Sequence, residues 1–210
     1  MDAFTAGQAT AWIGTAAKAV AEDKERLTEL DAAIGDGDHG ANMDRGLGAA
    51  REALAALDAA GPGEVLTKTG MTLISKVGGA SGPLYGSFFR TTGKNLEGAE
   101  PGLAELAAAL RAGLEAVQRM GAAQPGDKTM VDALSPAVAA LEQAAEKGAA
   151  LAEAARDAAD AAYDGAQATI PLQARKGRAS YLGERSIGHE DPGAASAVLI
   201  FRSFAEATAT

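Results

Sequence analysis

The chain contains no cysteine. That excludes a disulfide framework, a thiolate metal site and a cysteine nucleophile, and it fits a reducing compartment such as the cytoplasm. Two histidines, His39 and His189, leave almost no scope for a multi-histidine metal centre. No Ser-His-Asp arrangement, HExxH zinc signature or Walker A loop is present; the one Gly-Lys pair is followed by Asn95. No uncharged apolar run reaches the roughly 18 residues a membrane span needs. The N-terminus lacks the basic region of a secretory leader, so no signal peptide is expected. Basic residues are also in the minority, 19 against 28 acidic ones, for a net charge of −9. An extended nucleic-acid surface needs clustered Lys and Arg and is not expected, although one small basic pocket remains compatible.

What is present in quantity is alanine, 53 of 210 residues, with aromatics at 4%. Alanine is the strongest helix former and a poor strand residue, so the composition points to closely packed helices. The apolar spacing agrees. Ile13, Ala16, Val20 and Leu27 predict a helix over about 5–28, and Met43, Leu47, Ala50, Leu54 and Leu57 predict the next. Further helices are predicted over about 64–77, from Gly82-Pro83 onward, and over about 102–120, 128–146 and 149–168. The last begins at Asp191-Pro192, an acidic N-cap followed by the residue that suits a first helical position. Eight helices in one all-α unit spanning residues 1–210 are therefore expected. A long loop is left over about 171–190, and loops of that length are often functional.

Four stretches carry chemistry. Residues 30–43 read LDAAIGDGDHGANM. Asp31, Asp36 and Asp38 bring like charges together, which is costly unless a cation neutralises them, and hard carboxylate and amide oxygens suit Mg²⁺ or Ca²⁺. An EF-hand is excluded because counting from Asp36 puts Ala41 at the required glycine and Leu47 at the required glutamate. Gly35-Gly37-Gly40 matches a dinucleotide fingerprint only formally, since no strand precedes it and two of its variable positions are aspartates. Residues 77–84, VGGASGPL, expose backbone N–H groups just before a helix start, which is a cradle for phosphate. In GDKTMVDAL, residues 126–134, Asp127 or Thr129 could cap a helix, and Met130 offers a polarizable side chain for a flat base. Residues 174–194 place Arg175, Lys176 and Arg178 in the long loop, the densest cationic cluster of the chain. Carboxylates for metal, helix starts and arginine for phosphate, and a thioether are the parts a nucleotide with its metal requires.

Together and in order, these four stretches resemble the L subunit of dihydroxyacetone kinase over essentially the whole chain. The resemblance implies an eight-helix antiparallel barrel with ADP or ATP and Mg²⁺, two ions, at one end. It implies Asp31, Asp36 and Asp38 as metal ligands. It implies nucleotide contacts at His39, Gly40, Ala41, Asn42, Ala80, Ser81, Gly121, Met130, Asp191, Pro192 and Gly193, with Arg178 as the stabiliser of the phosphates. The stretch 119–124, RMGAAQ, departs locally from the family pattern around Gly121. No residue of this chain is implied as a substrate-anchoring catalytic group. The ketose is expected on a separate K-type subunit, with a phosphorylated carrier of the sugar phosphotransferase system as donor. An ATP-dependent subunit for another small ketose, and a nucleotide- or metal-binding regulator without turnover, are the alternatives.

Overall fold

The computed structural model describes residues 3–96 and 98–209. Among them lie nine α-helices: α1 (Ala6–Glu22), α2 (Lys24–Ile34), α3 (His39–Ala55), α4 (Pro62–Lys76), α5 (Ser81–Lys94), α6 (Leu103–Gly121), α7 (Val131–Glu146), α8 (Leu151–Ala168) and α9 (Pro192–Thr208). A 3-10 stretch, Arg178–Ser186, precedes α9. No strand occurs among the described residues.

Eight of the helices close a ring. α1 packs on α3, each of α3 to α8 packs on its successor, and α9 returns to α1. α3 to α8 are joined in sequence by turns and α8 to α9 by the long loop, and α3, α5, α7 and α9 all begin at the same end of the barrel, where Asp38, Ala80, Met130 and Asp191 line one cavity. The ninth helix, α2, stands outside the ring against α3, α9 and the 3-10 stretch.

The ring is tight because small residues face small residues. On α8 the buried face is Ala154, Ala155, Ala158, Ala159, Ala162 and Ala166. Between α4 and α5 the backbones nearly touch: a Cβ on Gly70 would sit 2.4 Å from the Arg90 amide nitrogen. The few aromatics are concentrated where α9 closes on α1. Trp12 meets Phe4 edge-on at 6.3 Å and Phe89 at 5.5 Å, and its indole N–H donates to the Ile200 carbonyl at 2.8 Å. Such edge-to-face pairs add about 0.5–1.5 kcal/mol each beyond area burial.

Three local expectations change, and one helix start that the spacing left open is fixed. The predicted helix over 5–28 breaks at Asp23, whose φ of −100° and ψ of 9° end α1 and start α2, giving nine helices where eight were expected. α3 starts at His39, directly on the acidic loop. α5 starts at Ser81, so Pro83 is its third residue. α7 starts at Val131 with Met130 at the N-cap; neither Asp127 nor Thr129 takes that position, and the Asp132 carboxylate accepts the Thr129 amide at 2.8 Å instead. The long loop is also less free than its length suggests. Ala174 and Ala179 bury against Ile34 of α2 in a small second core.

Candidate functional site

A cavity of about 300 Å³ opens at the end of the barrel where α3, α5, α7 and α9 begin. That volume is in the range of small-molecule sites. Four helix starts bring four positive dipole ends to one place, a setting for anions, although at α7 the amides of Val131, Asp132 and Ala133 are already taken by Thr129 and Met130. Asp31, Asp36 and Asp38 form its acidic wall, and the apolar side chains of Leu84, Val117, Met130 and Val131 line it as well.

The acidic wall is built by the α2–α3 turn. One oxygen from each of Asp31, Asp36 and Asp38 falls within 4.8 Å of the others. The Asp31 carboxylate is buried and held in place, its Oδ2 accepting the amides of Asp38 at 2.8 Å and His39 at 3.1 Å. Gly35 makes the space: a Cβ there would lie 2.0 Å from Asp31 Oδ1. Gly37 turns the chain at φ +73°, where a side chain is strained. Ligands around an octahedral ion at about 2.1 Å span up to about 4.2 Å, so three hard oxygens this close suit Mg²⁺ with little adjustment. The cation now facing Asp36 is Arg178, whose Nη2 stands 3.0 Å from Oδ2. Arg178 is two-thirds exposed, so it can swing without disturbing the core.

Behind this wall His39 is buried and links three helix starts. Its Nδ1 lies 3.0 Å from Ser81 Oγ of α5, and its Nε2 lies 2.9 Å from Ser196 Oγ of α9. Burial lowers the His39 pKa despite the nearby Asp31 and Asp38 charges, which favours a neutral ring. Asp191 caps α9, accepting the Ala194 amide at 2.7 Å. Burial pushes its pKa up to about 7; the Ala194 bond and Lys128 oppose the rise, while Asp132 and Asp31 add to it.

Most of the expected residues do meet. Asp31, Asp36, Asp38, His39, Ala80, Ser81, Gly121, Met130, Arg178, Asp191, Pro192 and Gly193 all line the cavity, and Lys176 of the basic cluster joins them. Gly40, Ala41, Asn42 and Arg175 are not among the lining residues. Gly40 serves packing, since a Cβ there would strike the Lys24 carbonyl at 2.1 Å. Asn42 Oδ1 accepts from Arg45 and abuts the Gly78 turn. Arg175 is tied by its backbone, donating its amide to the Asp127 carbonyl at 3.0 Å.

Three site residues escape sequence reasoning. Lys128 is almost fully buried in the left-handed region, φ +63°. Its ammonium donates to the carbonyls of Thr169, at 2.7 Å, and His189, clamping the two ends of the long loop. Desolvation lowers its pKa, opposed by Asp191 and Asp132. Tyr85 lines the cavity and meets the buried Ser196, their oxygens 2.7 Å apart. The turn around Lys128 is tied by the amides of Gly126 and Thr129 donating to the Asp132 carboxylate, whereas in sequence Thr129 reads only as a candidate helix cap.

The DAK2 domain family model matches residues 33–206. The ADP-binding subunit DhaL of the PEP-dependent dihydroxyacetone kinase of Escherichia coli is 45% identical over 195 residues, covering 92% of this chain and 93% of that protein. The ADP-binding subunit DhaL of the PTS-dependent dihydroxyacetone kinase of Lactococcus lactis is 43% identical, covering 94% of this chain and 95% of that one. In three dimensions the chain resembles the dihydroxyacetone kinase of C. freundii solved with AMP-PNP and Mg²⁺, with a TM-score of 0.71 and 28% identity. The match covers 94% of this chain but a third of that kinase, 33% of its length.

Proposed function

The chain belongs to the DAK2 domain family, and on that premise we propose that it is the ADP-binding subunit of a PEP-dependent dihydroxyacetone kinase, a phosphotransferase. The observation that carries this reading is the cavity itself. Three carboxylates within 4.8 Å and a set of apolar side chains line one space at which four helices begin. A nucleoside diphosphate with its cation needs both kinds of surface at once.

In this reading Asp31, Asp36 and Asp38 hold Mg²⁺, and the metal's contribution is to neutralise phosphate charge. Asp31 is kept aimed by the amides of Asp38 and His39. Gly40 and Ala41, in the first turn of α3, offer amides that have no acceptor within the helix. Ala80 and Ser81 do the same at α5, and Pro192 and Gly193 shape the start of α9 beside the Asp191 cap. Gly121 and Met130 flank the base, while Asn42 supports the Gly78 turn from behind. Arg178 leaves Asp36 to take phosphate oxygens, which its forked guanidinium matches.

The ketose is brought by a K-type subunit, since transfer needs donor and acceptor about 3–3.5 Å apart and in line. A phosphorylated carrier of the phosphotransferase system recharges the nucleotide. In this reading the partners meet in the cytoplasm and residues 1–210 act as one unit. Among the described residues no helix is long and apolar enough to cross a membrane.

Two measurements test the proposal. Native mass spectrometry of the purified chain should find ADP and Mg²⁺ retained. Phosphotransfer to dihydroxyacetone should require an added K-type subunit and a phosphorylated carrier. Rapid exchange with ATP, and transfer driven by ATP alone, would favour the ATP-dependent alternative. No nucleotide binding at all would overturn the reading.

A further inference from the structure

Beneath the cavity lies a chain of hydroxyls that the reaction itself does not call for. Tyr85 OH stands 2.7 Å from Ser196 Oγ and 2.9 Å from the Gly193 carbonyl oxygen. Ser196 Oγ is 2.9 Å from His39 Nε2 and 3.0 Å from the same carbonyl. His39 Nδ1 is 3.0 Å from Ser81 Oγ, and Ser81 faces the cavity. Tyr85 and Ser196 are fully buried, so water does not complete their bonding.

A neutral imidazole carries one N–H, and its tautomer sets which way the bonds to Ser196 and Ser81 run, with the Pro192 carbonyl a further acceptor beside the ring. In one order Tyr85 donates to Gly193, Ser196 donates to Tyr85, and His39 donates from Nε2 to Ser196. Nδ1 is then bare and takes the Ser81 hydrogen, leaving only lone pairs toward the cavity. In the other order Tyr85 donates to Ser196 and Ser196 donates to Nε2. Nδ1–H then donates to Ser81, whose own hydrogen is released into the cavity. The Gly193 carbonyl loses nothing essential in the second order, because its place in the first turn of α9 lets it take an amide one turn on. An anion repels the first order and is bonded by the second.

Resting on the reading of this cavity as a nucleotide site, we infer that Tyr85 and Ser196 are positioning residues. They feed hydrogens to His39 Nε2, so that His39 holds Ser81 as a donor to the phosphates. Both act through His39 and Ser81: Tyr85 lines the cavity, but its hydroxyl is engaged by Ser196 and the Gly193 carbonyl. Switching between the two orders needs only hydroxyl rotation and a tautomer change, so no backbone moves.

The test has two arms on the full chain. With two histidines in the sequence, nitrogen NMR can assign His39 directly. With ADP and Mg²⁺ bound, His39 should be the Nδ1–H tautomer with Nε2 bare, and Ser196→Ala should lose that single-tautomer signature. Calorimetric titration with ADP and Mg²⁺ supplies the second arm. Ser196→Ala should bind about tenfold more weakly, the scale of one hydrogen bond to a charged group. In a Ser81→Ala background the same substitution should cost nothing further, because the route to the phosphate is already cut. Should Ser196→Ala fold poorly, Tyr85→Phe carries the test: Ser196 then turns its hydrogen back to Gly193, and several-fold weaker binding is expected. An Nε2–H tautomer in the bound protein, or additive losses in the double variant, would overturn the relay while leaving the nucleotide site standing. A parent chain that binds no ADP overturns both.

Discussion

Asp191→Asn should make the ligand-free protein more stable at pH 8, although it alters a residue of the site. The carboxylate is buried at the start of α9, and desolvation raises its pKa from the ordinary 3.8 to about 7. Below about pH 4 the group is protonated folded or unfolded, and contributes nothing. As pH rises from there to about 7, the unfolded chain has released the proton and the folded one still holds it, so stability falls. Above pH 7 both states are ionised and the whole penalty stands. A shift of about three units at 1.36 kcal/mol each sets an upper bound of about 4 kcal/mol. Relaxation of the surroundings makes about half of that the working figure. Asparagine caps a helix as well as aspartate does, so the bond to the Ala194 amide survives the change. A gain of about 2 kcal/mol corresponds to a melting temperature roughly 4–8 °C higher for a chain of this size. Thermal melts of both proteins at pH 4 and pH 8, without nucleotide, read it out: the curves should coincide at pH 4 and separate at pH 8. A variant no more stable than the parent at pH 8 would refute the account of Asp191 as a buried, costly charge.

Gly35→Ala should abolish Mg²⁺-dependent ADP retention, because the added Cβ displaces the Asp31 carboxylate it would approach at 2.0 Å; unchanged retention by native mass spectrometry would remove Asp31 from the metal site. Arg178→Ala should cost under about 0.5 kcal/mol in folding, as expected for an exposed ion pair, and leave titration with Mg²⁺ alone undiminished because a competing cation on Asp36 is gone. Phosphotransfer should nevertheless fall one to two decades, about 1.5–3 kcal/mol of charge-assisted contact, and equal activity would return Arg178 to the solvated surface. Lys128→Met takes the ammonium from the His189 carbonyl and from the Thr169 carbonyl, which keeps the Leu172 amide, and should destabilise the chain by about 1–3 kcal/mol in urea unfolding, with the long loop cleaved faster by protease.

The parts of the site written in contiguous sequence were legible. Asp31, Asp36 and Asp38 fall within eight residues, and glycines between them announce a tight turn whatever the fold around it. Asp191-Pro192 announces its helix start, and the structure places that cap as expected. The break at Asp23 was hidden because the apolar spacing runs through it unchanged, from Val20 to Leu27, while the backbone departs from helix only at one residue. Lys128 was hidden because a lysine between Asp127 and Thr129 reads as solvated. Its burial depends on the Thr169 and His189 carbonyls, 41 and 61 residues away. Tyr85 falls on the same helical stripe as Phe88 and Phe89 and reads as core, and it is core; what makes it more is a hydroxyl partner 111 residues away.

That division follows from how the barrel is closed. Within a helix, spacing fixes which residues share a face, so the walls of the ring could be drawn from period alone. Which ends meet is fixed by the even number of turns between them, and that places the starts of α3, α5, α7 and α9 together although they are spread from residue 39 to residue 192. Contacts between those ends are all long-range, so they are invisible to period and accessible only once the ring is closed. α2 matters for the same reason. Inserted between α1 and α3 but left outside the ring, it does not disturb the alternation of the eight, and it carries Asp31 to the rim where the 3-10 stretch brings Arg178. The break at Asp23 is thus what lets an eight-helix barrel hold its acidic wall and its arginine at one mouth.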